Sequence, residues 1–250
     1  MSGHSKWSSI KHKKGAADAK RGALFTKLSR AIIAAAKEGG PDPAANLALQ
    51  NAVEKARSYS MPKDNIERAI ARGAGADAEG ANFETVVYEG YGPEGVAVLV
   101  EALTDNRNRT ASDVRHLFTR NGGNLGATGT VAWQFERRGV LLVPSDGVDE
   151  DELMLAAADG GADDVELDGS TYQVTCAPEE LRTVREALEA GGFAIESAEL
   201  PMIPKSTVAI AEESAARAVV RLVESLEDAD DVQGVYANFD ISEALLEAVV

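Results

Sequence analysis

The residues best suited to chemistry in this chain are the basic side chains near its start. The segment Gly3–Gly15 combines lysines and histidines with one aromatic residue, Trp7, and has few residues able to build a core. Lysine neutralises phosphate and releases counterions from nucleic acid, and an indole can stack on a base. The predicted nucleic-acid contacts are Lys6, Trp7, Lys11, His12, Lys13, Lys14, Lys20, Arg21, Lys27 and Arg30.

The spacing of the lysines supports this prediction where the chain is helical. Four of them recur at intervals of seven, namely Lys6, Lys13, Lys20 and Lys27. Because seven residues make nearly two helical turns, Lys20 and Lys27 share one stripe of a helix, with Arg21 and Arg30 beside it. The alternative is a disordered basic tail followed by a solvated helix face that binds nothing.

A second candidate is the segment Thr-Asp-Asn-Arg-Asn-Arg-Thr at 104–110, between a predicted strand and a predicted helix. The free N–H groups at a helix start attract anions, and Arg107 and Arg109 can add bidentate phosphate donors. Thr110 or Asn108 can cap this helix. In the alternative, the segment is only a capping loop in which an arginine pairs with a carboxylate such as Asp105 or Asp113. The sequence leaves both interpretations open.

A third candidate is the glycine-rich segment 121–129, which contains Asn124. It is not a phosphate-binding P-loop, because no Gly-Lys-Ser/Thr follows and it leads toward a predicted strand. Glycines with few side chains allow close approach of a partner to the backbone. The alternative is a long flexible turn, so Arg107, Arg109 and Asn124 are predicted only as a secondary anion or partner contact.

Patterns typical of enzymes and metal sites are not found. No Cys–His spacing for zinc and no Gly-x-Ser-x-Gly or His-Glu-x-x-His motif occurs, so we predict no enzyme, no cofactor and no metal. Cys176 lies in a strand pattern and is predicted to be a core thiol. The acidic runs at 149–152 and 227–231 lack the ligand spacing of a calcium loop and are predicted to be solvated faces.

Composition bounds the class of protein. One cysteine cannot form an internal disulfide, which favours a reducing cytoplasm. The first residues lack the apolar core of a secretory signal, and no apolar run approaches the ~20 residues that span a bilayer. We therefore predict a cytoplasmic protein without a membrane partner.

Charge is very unevenly distributed along the 250 residues. The net charge is -16, from 25 Lys and Arg against 41 Asp and Glu. Residues 1–72 carry +8, residues 73–138 carry -3 and residues 139–250 carry -21. Physiological salt screens charges beyond ~8 Å, so a polyanion near the N-terminal block mainly meets that block. The average argues against nucleic acid, whereas the distribution favours it.

The elements that must position these residues change along the chain. Apolar residues three and four apart predict three helices. The first ends at Gly39–Pro41, the second is capped by Asp42 with Pro43 at its first position, and the third stops at Gly73. Residues 74–82 read as a linker.

After the linker the pattern is that of strands and helices. Residues 140–198 follow the β-α-β-β-α-β order of a ferredoxin-like domain. The flanks repeat that order, with strands at 95–103, 130–135, 206–210 and 232–238 and helices at 110–121 and 212–227.

The predicted fold class is α+β and multidomain. An N-terminal three-helix bundle precedes two ferredoxin-like α/β domains, one inserted into the other. The predicted boundaries are 1–73 for the basic helical domain with its flexible tail, 83–136 plus 205–250 for the discontinuous domain, and 137–204 for the acidic insertion.

Five long segments resemble the YebC/PmpR family. They are GHSKWSSIKHKKGAADAKRGALFTKLSRAI at 3–32, MPKDNIERAI at 61–70, YEGYGPEGVAVLVEALTDNRNRTASDVRHLF at 88–118, GGNLGATGTVAWQFERRGV at 122–140 and LEDADDVQGVYANFD at 226–240. The resemblance implies a helical bundle and two α/β domains, one interrupted by the other. It also implies a bacterial, cytosolic, non-enzymatic regulator of gene expression.

Two roles follow from the resemblance. One is DNA binding as a transcriptional regulator. The other is a ribosome-associated translation factor, similar to the mitochondrial translational activator of cytochrome c oxidase, that binds ribosomal RNA and relieves stalling at proline-rich stretches. The sequence has no clear helix-turn-helix signature, and a lysine-rich tail with one aromatic suits structured RNA or a phosphate backbone. DNA and ribosomal RNA therefore both remain candidate partners.

Overall fold

The computed structural model describes residues 18–75 and 83–249, without the side chains at 18–21, 47 and 243. The described residues combine an N-terminal helical region with sheet-containing domains, which confirms the predicted α+β class. They divide into two compact units. The larger comprises the described parts of Met1–Trp133 and Ser206–Val250, and the smaller comprises Gln134–Lys205.

Three helices form the described N-terminal region: α1 (Asp18–Gly39), α2 (Leu47–Ser58) and α3 (Lys63–Ala74). Their apolar faces meet in one core, because the helical period puts one buried stripe on each helix. Ile32 of α1, Leu49 of α2 and Ile66 of α3 are all nearly inaccessible to solvent. The basic residues of α1 are therefore carried on a packed bundle.

The predicted start of the second helix is wrong by four residues. Asp42 accepts a hydrogen bond from the N–H of Ala44 within a turn, and the helix begins only at Leu47. The cap is Asn46, whose Oδ1 accepts the N–H of Leu49 at 3.0 Å. Its Nδ2 also donates to the carbonyl of Ala35 at 2.8 Å, so a tertiary contact with α1 selects this cap.

Gly73 does not stop the third helix, which continues to Ala74. A Cβ at this position would lie 2.5 Å from the carbonyl oxygen of Ile33 and 2.8 Å from the Cβ of Ala36. Glycine is therefore required because α3 and α1 approach closely at this point.

The larger unit contains a four-stranded sheet covered by helices. In chain order its elements are β1 (Glu84–Tyr91), β2 (Ala97–Thr104), α4 (Arg107–Arg120) and β3 (Asn124–Leu125). The smaller unit follows with its own strands and helices, numbered β4 to β9, α5 and α6 below. The larger unit then resumes with β10 (Val208–Ile210), α7 (Glu213–Glu227), β11 (Val232–Ala237), β12 (Phe239–Ile241) and α8 (Glu243–Val249).

The strand order of this sheet differs from the simple repeat expected from the sequence. The order is β11-β2-β1-β3, so the inner position beside β2 belongs to β1, its hairpin partner. The strand predicted at 206–210 is β10, and it pairs in parallel with β12 in a separate two-stranded sheet. The short connection between β1 and β2 favours the local antiparallel pairing over a distant one.

The smaller unit has the ferredoxin-like arrangement. Its elements are β5 (Gly139–Pro144), α5 (Glu150–Asp159), β6 (Ala162–Asp168), β7 (Thr171–Cys176), α6 (Leu181–Ala190) and β8 (Ser197–Glu199). The sheet order is β6-β7-β5-β8 with antiparallel neighbours, as the split β-α-β motif requires.

The predicted strand at 130–135 is not formed as such. Ala132–Gln134 is a short 3₁₀ turn, and the strand β4 covers only Phe135–Arg137. It pairs antiparallel with β9 (Met202–Pro204). The residues before it are held in a loop by a buried carboxylate, described below.

Candidate nucleic-acid interface

The predicted basic surface is only partly described. Lys6, Trp7, Lys11, His12, Lys13 and Lys14 lie outside the described residues. Lys20 and Arg21 belong to the first turns of α1, and their side chains also lie outside the described part. Among the ten predicted nucleic-acid contacts, Lys27 and Arg30 are those whose side chains the structure describes.

Lys27 and Arg30 both reach the acidic segment Glu227–Asp231, which links α7 to β11. The ammonium of Lys27 donates to the carbonyl oxygen of Glu227. Nη1 of Arg30 donates to the carbonyl oxygen of Asp230 at 2.8 Å and to Oδ1 of Asp231 at 3.1 Å. This part of α1 is therefore bound to two backbone carbonyls and one carboxylate of the same chain.

Asp231 is the centre of this arrangement, and its side chain is almost fully buried. Its Oδ1 faces Arg30, while Oδ2 accepts from Nη2 of Arg109 at 2.8 Å and from the hydroxyl of Thr110 at 2.7 Å. Burial by itself would raise the pKa of Asp231. Hydrogen bonds from Arg109 and Thr110 and the nearby Arg charges outweigh it, so the pKa lies below its ordinary value.

Segment 104–110 forms a helix cap joined to this carboxylate. The cap is Asn106, whose Oδ1 accepts the N–H of Arg109 at 3.1 Å, so the prediction of Thr110 or Asn108 as the cap is wrong. Arg109 also binds Asp105 at 2.9 Å. Arg109 therefore forms the arginine–carboxylate pair of the capping alternative, and its donors bind two carboxylates of the chain.

The outward face of α4 keeps several basic groups available. Arg107, Arg115, His116 and Arg120 are exposed, and none of their side chains forms a hydrogen bond or salt bridge within the described residues. The backbone carbonyl of Arg107 accepts a hydrogen bond from the hydroxyl of Tyr88 at 3.3 Å, and its guanidinium forms neither a hydrogen bond nor a salt bridge among the described residues. Arg107 therefore remains suited to bind an anion, in contrast to Arg109.

The glycine-rich segment is held by Glu89, which the sequence analysis did not select. Its carboxylate is buried and accepts the N–H groups of Gly129 at 2.7 Å, Val131 at 2.8 Å and Ala132 at 2.7 Å. Burial alone would raise the pKa of Glu89, but these three donors stabilise the carboxylate and hold its pKa below its ordinary value. An acidic residue between Tyr88 and Gly90, in the inner part of the strand, was the available signal.

Asn124 begins β3, the edge strand that pairs with the end of β1. It lies opposite Tyr91, and its side chain is exposed. Gly123 permits this pairing, because a Cβ there would lie 2.7 Å from the carbonyl oxygen of Tyr91. Asn124 and Leu125 are therefore paired to β1, and the remaining residues of the segment form a loop.

The thiol of Cys176 and the candidate metal ligands can be compared with the sequence predictions in the described part of the chain. Cys176 is buried, as predicted, and burial raises the pKa of its thiol to about 11. Among residues 18–75 and 83–249, no three His, Cys, Asp or Glu side chains are placed to hold a metal ion. No helix in these ranges combines the length and apolar character that a bilayer crossing needs.

Comparison with known proteins covers nearly the whole chain. A model of the TACO1/YebC protein N-terminal domain matches residues 5–76, and a model of the TACO1/YebC second and third domain matches residues 83–239.

Individual relatives agree with this match. A probable transcriptional regulatory protein of Rubrobacter xylanophilus is 60% identical over 249 residues, covering 100% of this chain and 99% of the relative. One of the same name from Persephonella marina is 54% identical over 250 residues, covering 100% of both. The crystal structure of a conserved hypothetical protein from Aquifex aeolicus is 52% identical, with a TM-score of 0.80 and coverage of 90% of this chain and 92% of that one.

Proposed function

The chain belongs to the TACO1/YebC family, and we propose that it regulates gene expression by binding nucleic acid without catalysing a reaction. The binding surface is the basic part of its first third, with Lys6, Trp7, Lys11, Lys13 and Lys14 as the leading contacts. Relatives matched over their full length are named probable transcriptional regulatory proteins. We therefore take DNA as the first candidate partner and transcription as the regulated process.

The observation that carries this proposal is the segregation of charge. A block of +8 in residues 1–72 belongs to a chain whose net charge is -16. Such a block attracts phosphates, while the acidic remainder limits indiscriminate binding to polyanions. A uniformly acidic protein of the same net charge would repel nucleic acid at every face.

The contacts of Lys27 and Arg30 refine the proposal. Both side chains already bind the segment Glu227–Asp231, so an incoming phosphate has to compete with Asp231 for Arg30. We infer that these two residues mainly anchor α1 to the α/β domain. The affinity for nucleic acid then comes chiefly from Lys6 to Arg21.

Ribosomal RNA is the second candidate partner, with relief of stalling at proline-rich stretches as the process. The observation in its favour is the mixed charge of α3, the second helix of the pair α2–α3. Lys63 pairs with Glu67 at 3.5 Å, and Asp64 is exposed on the same helix. Base reading in the major groove of DNA needs an inserted helix that carries donors and acceptors, and no helix-turn-helix signature marks α3 as such a helix.

The test compares two charge-reversal variants of the full chain. The first carries Lys11→Glu, Lys13→Glu and Lys14→Glu, and the matched control carries Lys205→Glu, Arg217→Glu and Arg221→Glu. Binding is followed by fluorescence anisotropy with duplex DNA and structured RNA, and by cosedimentation with ribosomes. A plot of log affinity for duplex DNA against log salt concentration has a negative slope. Losing three phosphate contacts should make that slope less steep by about 2 to 3. The control should bind as the original protein does.

Unchanged binding of the first variant to DNA, RNA and ribosomes would refute the proposal. The two candidate partners are separated by crosslinking in cells followed by sequencing of the bound DNA and RNA. Enrichment at promoters supports transcriptional regulation, and enrichment on ribosomal RNA supports the translational role.

A further inference from the structure

Trp133 is the most exposed aromatic side chain in the described part of the larger unit. It is 68% exposed, although tryptophan usually buries most of its surface. Its indole N–H donates to the carbonyl of Thr130 at 3.2 Å, which restrains the ring relative to the loop. The side chain is therefore displayed in a preferred orientation and is not part of any core.

The loop beneath Trp133 is itself fixed. The carboxylate of Glu89 binds the N–H groups of Gly129, Val131 and Ala132, and the carbonyl of Glu89 accepts the N–H of Gly126 at 2.7 Å. Both ends of the segment are thus tied to β1. A ring presented on a rigid frame loses little entropy when a ligand binds to it.

A second ring lies beside the same point of the loop. The hydroxyl of Tyr91 is 3.5 Å from the carbonyl oxygen of Thr130, the atom that also accepts the indole N–H of Trp133. Tyr91 is 36% exposed and pairs in register with Asn124. Gly129 has open space where a Cβ would be, so a flat ligand can approach the loop closely.

Polar groups on β3 and at the end of α4 suit a nucleotide. The exposed amide of Asn124 offers a donor and an acceptor of the kind that reads base edges. Arg120 ends α4 next to the turn that leads into β3, and its side chain has no hydrogen bond or salt bridge among the described residues. Glu94 is exposed in the turn after β1, and its negative charge would repel a phosphate. A phosphate is therefore expected to bind on the side of α4.

We propose that Trp133, Tyr91 and Asn124 form a binding site for an unpaired nucleobase of a single-stranded nucleic acid. Stacking on the two rings supplies the affinity, Asn124 contacts the base edge, and Arg120 contacts the phosphate backbone. The choice of a nucleic acid over a protein rests on the proposed function. The site lies on the α/β domain, apart from the basic N-terminal segment, and gives the protein a second contact.

The test uses tryptophan fluorescence of the full chain. The protein has two tryptophans, so the Trp7→Phe variant leaves Trp133 as its single indole. This variant is titrated with single-stranded RNA, single-stranded DNA and a duplex of the same sequence. Saturable quenching by at least one single strand, with little quenching by the duplex, is expected, and the two single strands identify the preferred sugar.

Substitutions then connect quenching to affinity. Because these variants lack the reporting indole, their binding is measured by fluorescence anisotropy of a labelled strand. Trp133→Ala should weaken single-strand binding by about 5- to 100-fold, whereas Trp133→Phe, which keeps a stacking ring, should lose less. Leu155→Ala, which removes an exposed apolar side chain from the smaller unit, is the matched control and should bind normally. Unchanged melting temperatures establish that the variants are folded.

Three outcomes overturn this inference: no quenching by any single strand, equal quenching by the duplex, or normal binding by Trp133→Ala. A partner protein at this surface would give the first of them. If the lysine variant still loses binding in that case, the basic segment binds nucleic acid and only the second site is refuted. If neither set of variants affects binding, the proposed function itself fails.

Discussion

Replacing Asp231 by alanine should break the side-chain contacts that link α1 to the α/β domain and so lower the stability of the larger unit. The substitution removes the acceptor of Arg30 at 3.1 Å, of Arg109 at 2.8 Å and of Thr110 at 2.7 Å. The backbone carbonyl of Asp231, which accepts the N–H of Leu103, is retained. The change therefore tests the side chain and leaves the strand pairing intact.

The size of the effect follows from how buried each partner is. Thr110 is nearly inaccessible, and a hydrogen bond from a buried hydroxyl to a charged acceptor contributes about 1.5–3 kcal/mol. Arg30 and Arg109 are partly exposed and can be rehydrated, so their ion pairs add little. We expect Asp231→Ala to lower the free energy of unfolding of the larger unit by about 2–3 kcal/mol.

The assay is urea unfolding of the full chain, followed by far-ultraviolet circular dichroism. Asp230→Ala is the matched control, because it removes the same charge from an exposed neighbour and should cost less than about 0.5 kcal/mol. The pKa of Asp231 is lowered by folding, so its contribution is present above the unfolded pKa, near 4, and is lost as the pH falls through the folded pKa. The difference between Asp231→Ala and the original protein should therefore shrink below about pH 4.

Equal effects of Asp231→Ala and Asp230→Ala would refute this reasoning. A difference that persists unchanged at acid pH would also contradict it, since protonated Asp231 no longer attracts the two arginines. Arg30→Ala provides a further check. In the Asp231→Ala background it should cost less than it does alone, because the two residues then no longer interact.

Three other changes test the described contacts. Glu89→Gln should destabilise the larger unit by about 2–3 kcal/mol at neutral pH, because an amide cannot accept all three N–H groups. Urea unfolding at neutral and acid pH measures this effect. The difference in unfolding free energy between the variant and the original protein should shrink as the pH falls through the lowered pKa of Glu89. Gly73→Ala should destabilise the helical region by about 1–3 kcal/mol, because the added methyl group meets α1. The control is Gly22→Ala, which has open space around it and should be neutral or stabilising by up to about 1 kcal/mol. Equal melting temperatures of the two variants would contradict the close approach of α3 to α1. Cys176, with a pKa of about 11 and a buried thiol, should react with iodoacetamide at pH 8 at least about 100-fold more slowly in the native protein than in urea, and fast native labelling would show that it is accessible.

Features set by neighbouring residues could be predicted from the sequence. The charge asymmetry is a property of composition, and the helical period of apolar residues located the three helices described between residues 18 and 75. The ferredoxin-like order of 140–198 followed from the alternation of predicted strands and helices. In each case the information lies within a few residues of the feature, so a linear pattern is enough.

Features that depend on distant partners were missed or wrong. Asp42 is as good a cap as Asn46 by residue type, and only contact with Ala35 selects the second. Val208–Ile210 has the pattern of a strand in the main sheet, but that position is taken by the hairpin partner of β2. Local pattern cannot rank two partners that compete for one place.

The candidate sites show the same division. From the sequence by itself came the basic segment, its +8 charge and the attention to Arg107, Arg109 and Asn124. The tertiary structure decided that Arg109 and Arg30 converge on Asp231, across 122 and 201 positions of chain. It also decided that Glu89 fixes the loop that presents Trp133. Residue type gives a side chain its chemistry, but its availability to a partner depends on which distant groups folding brings beside it.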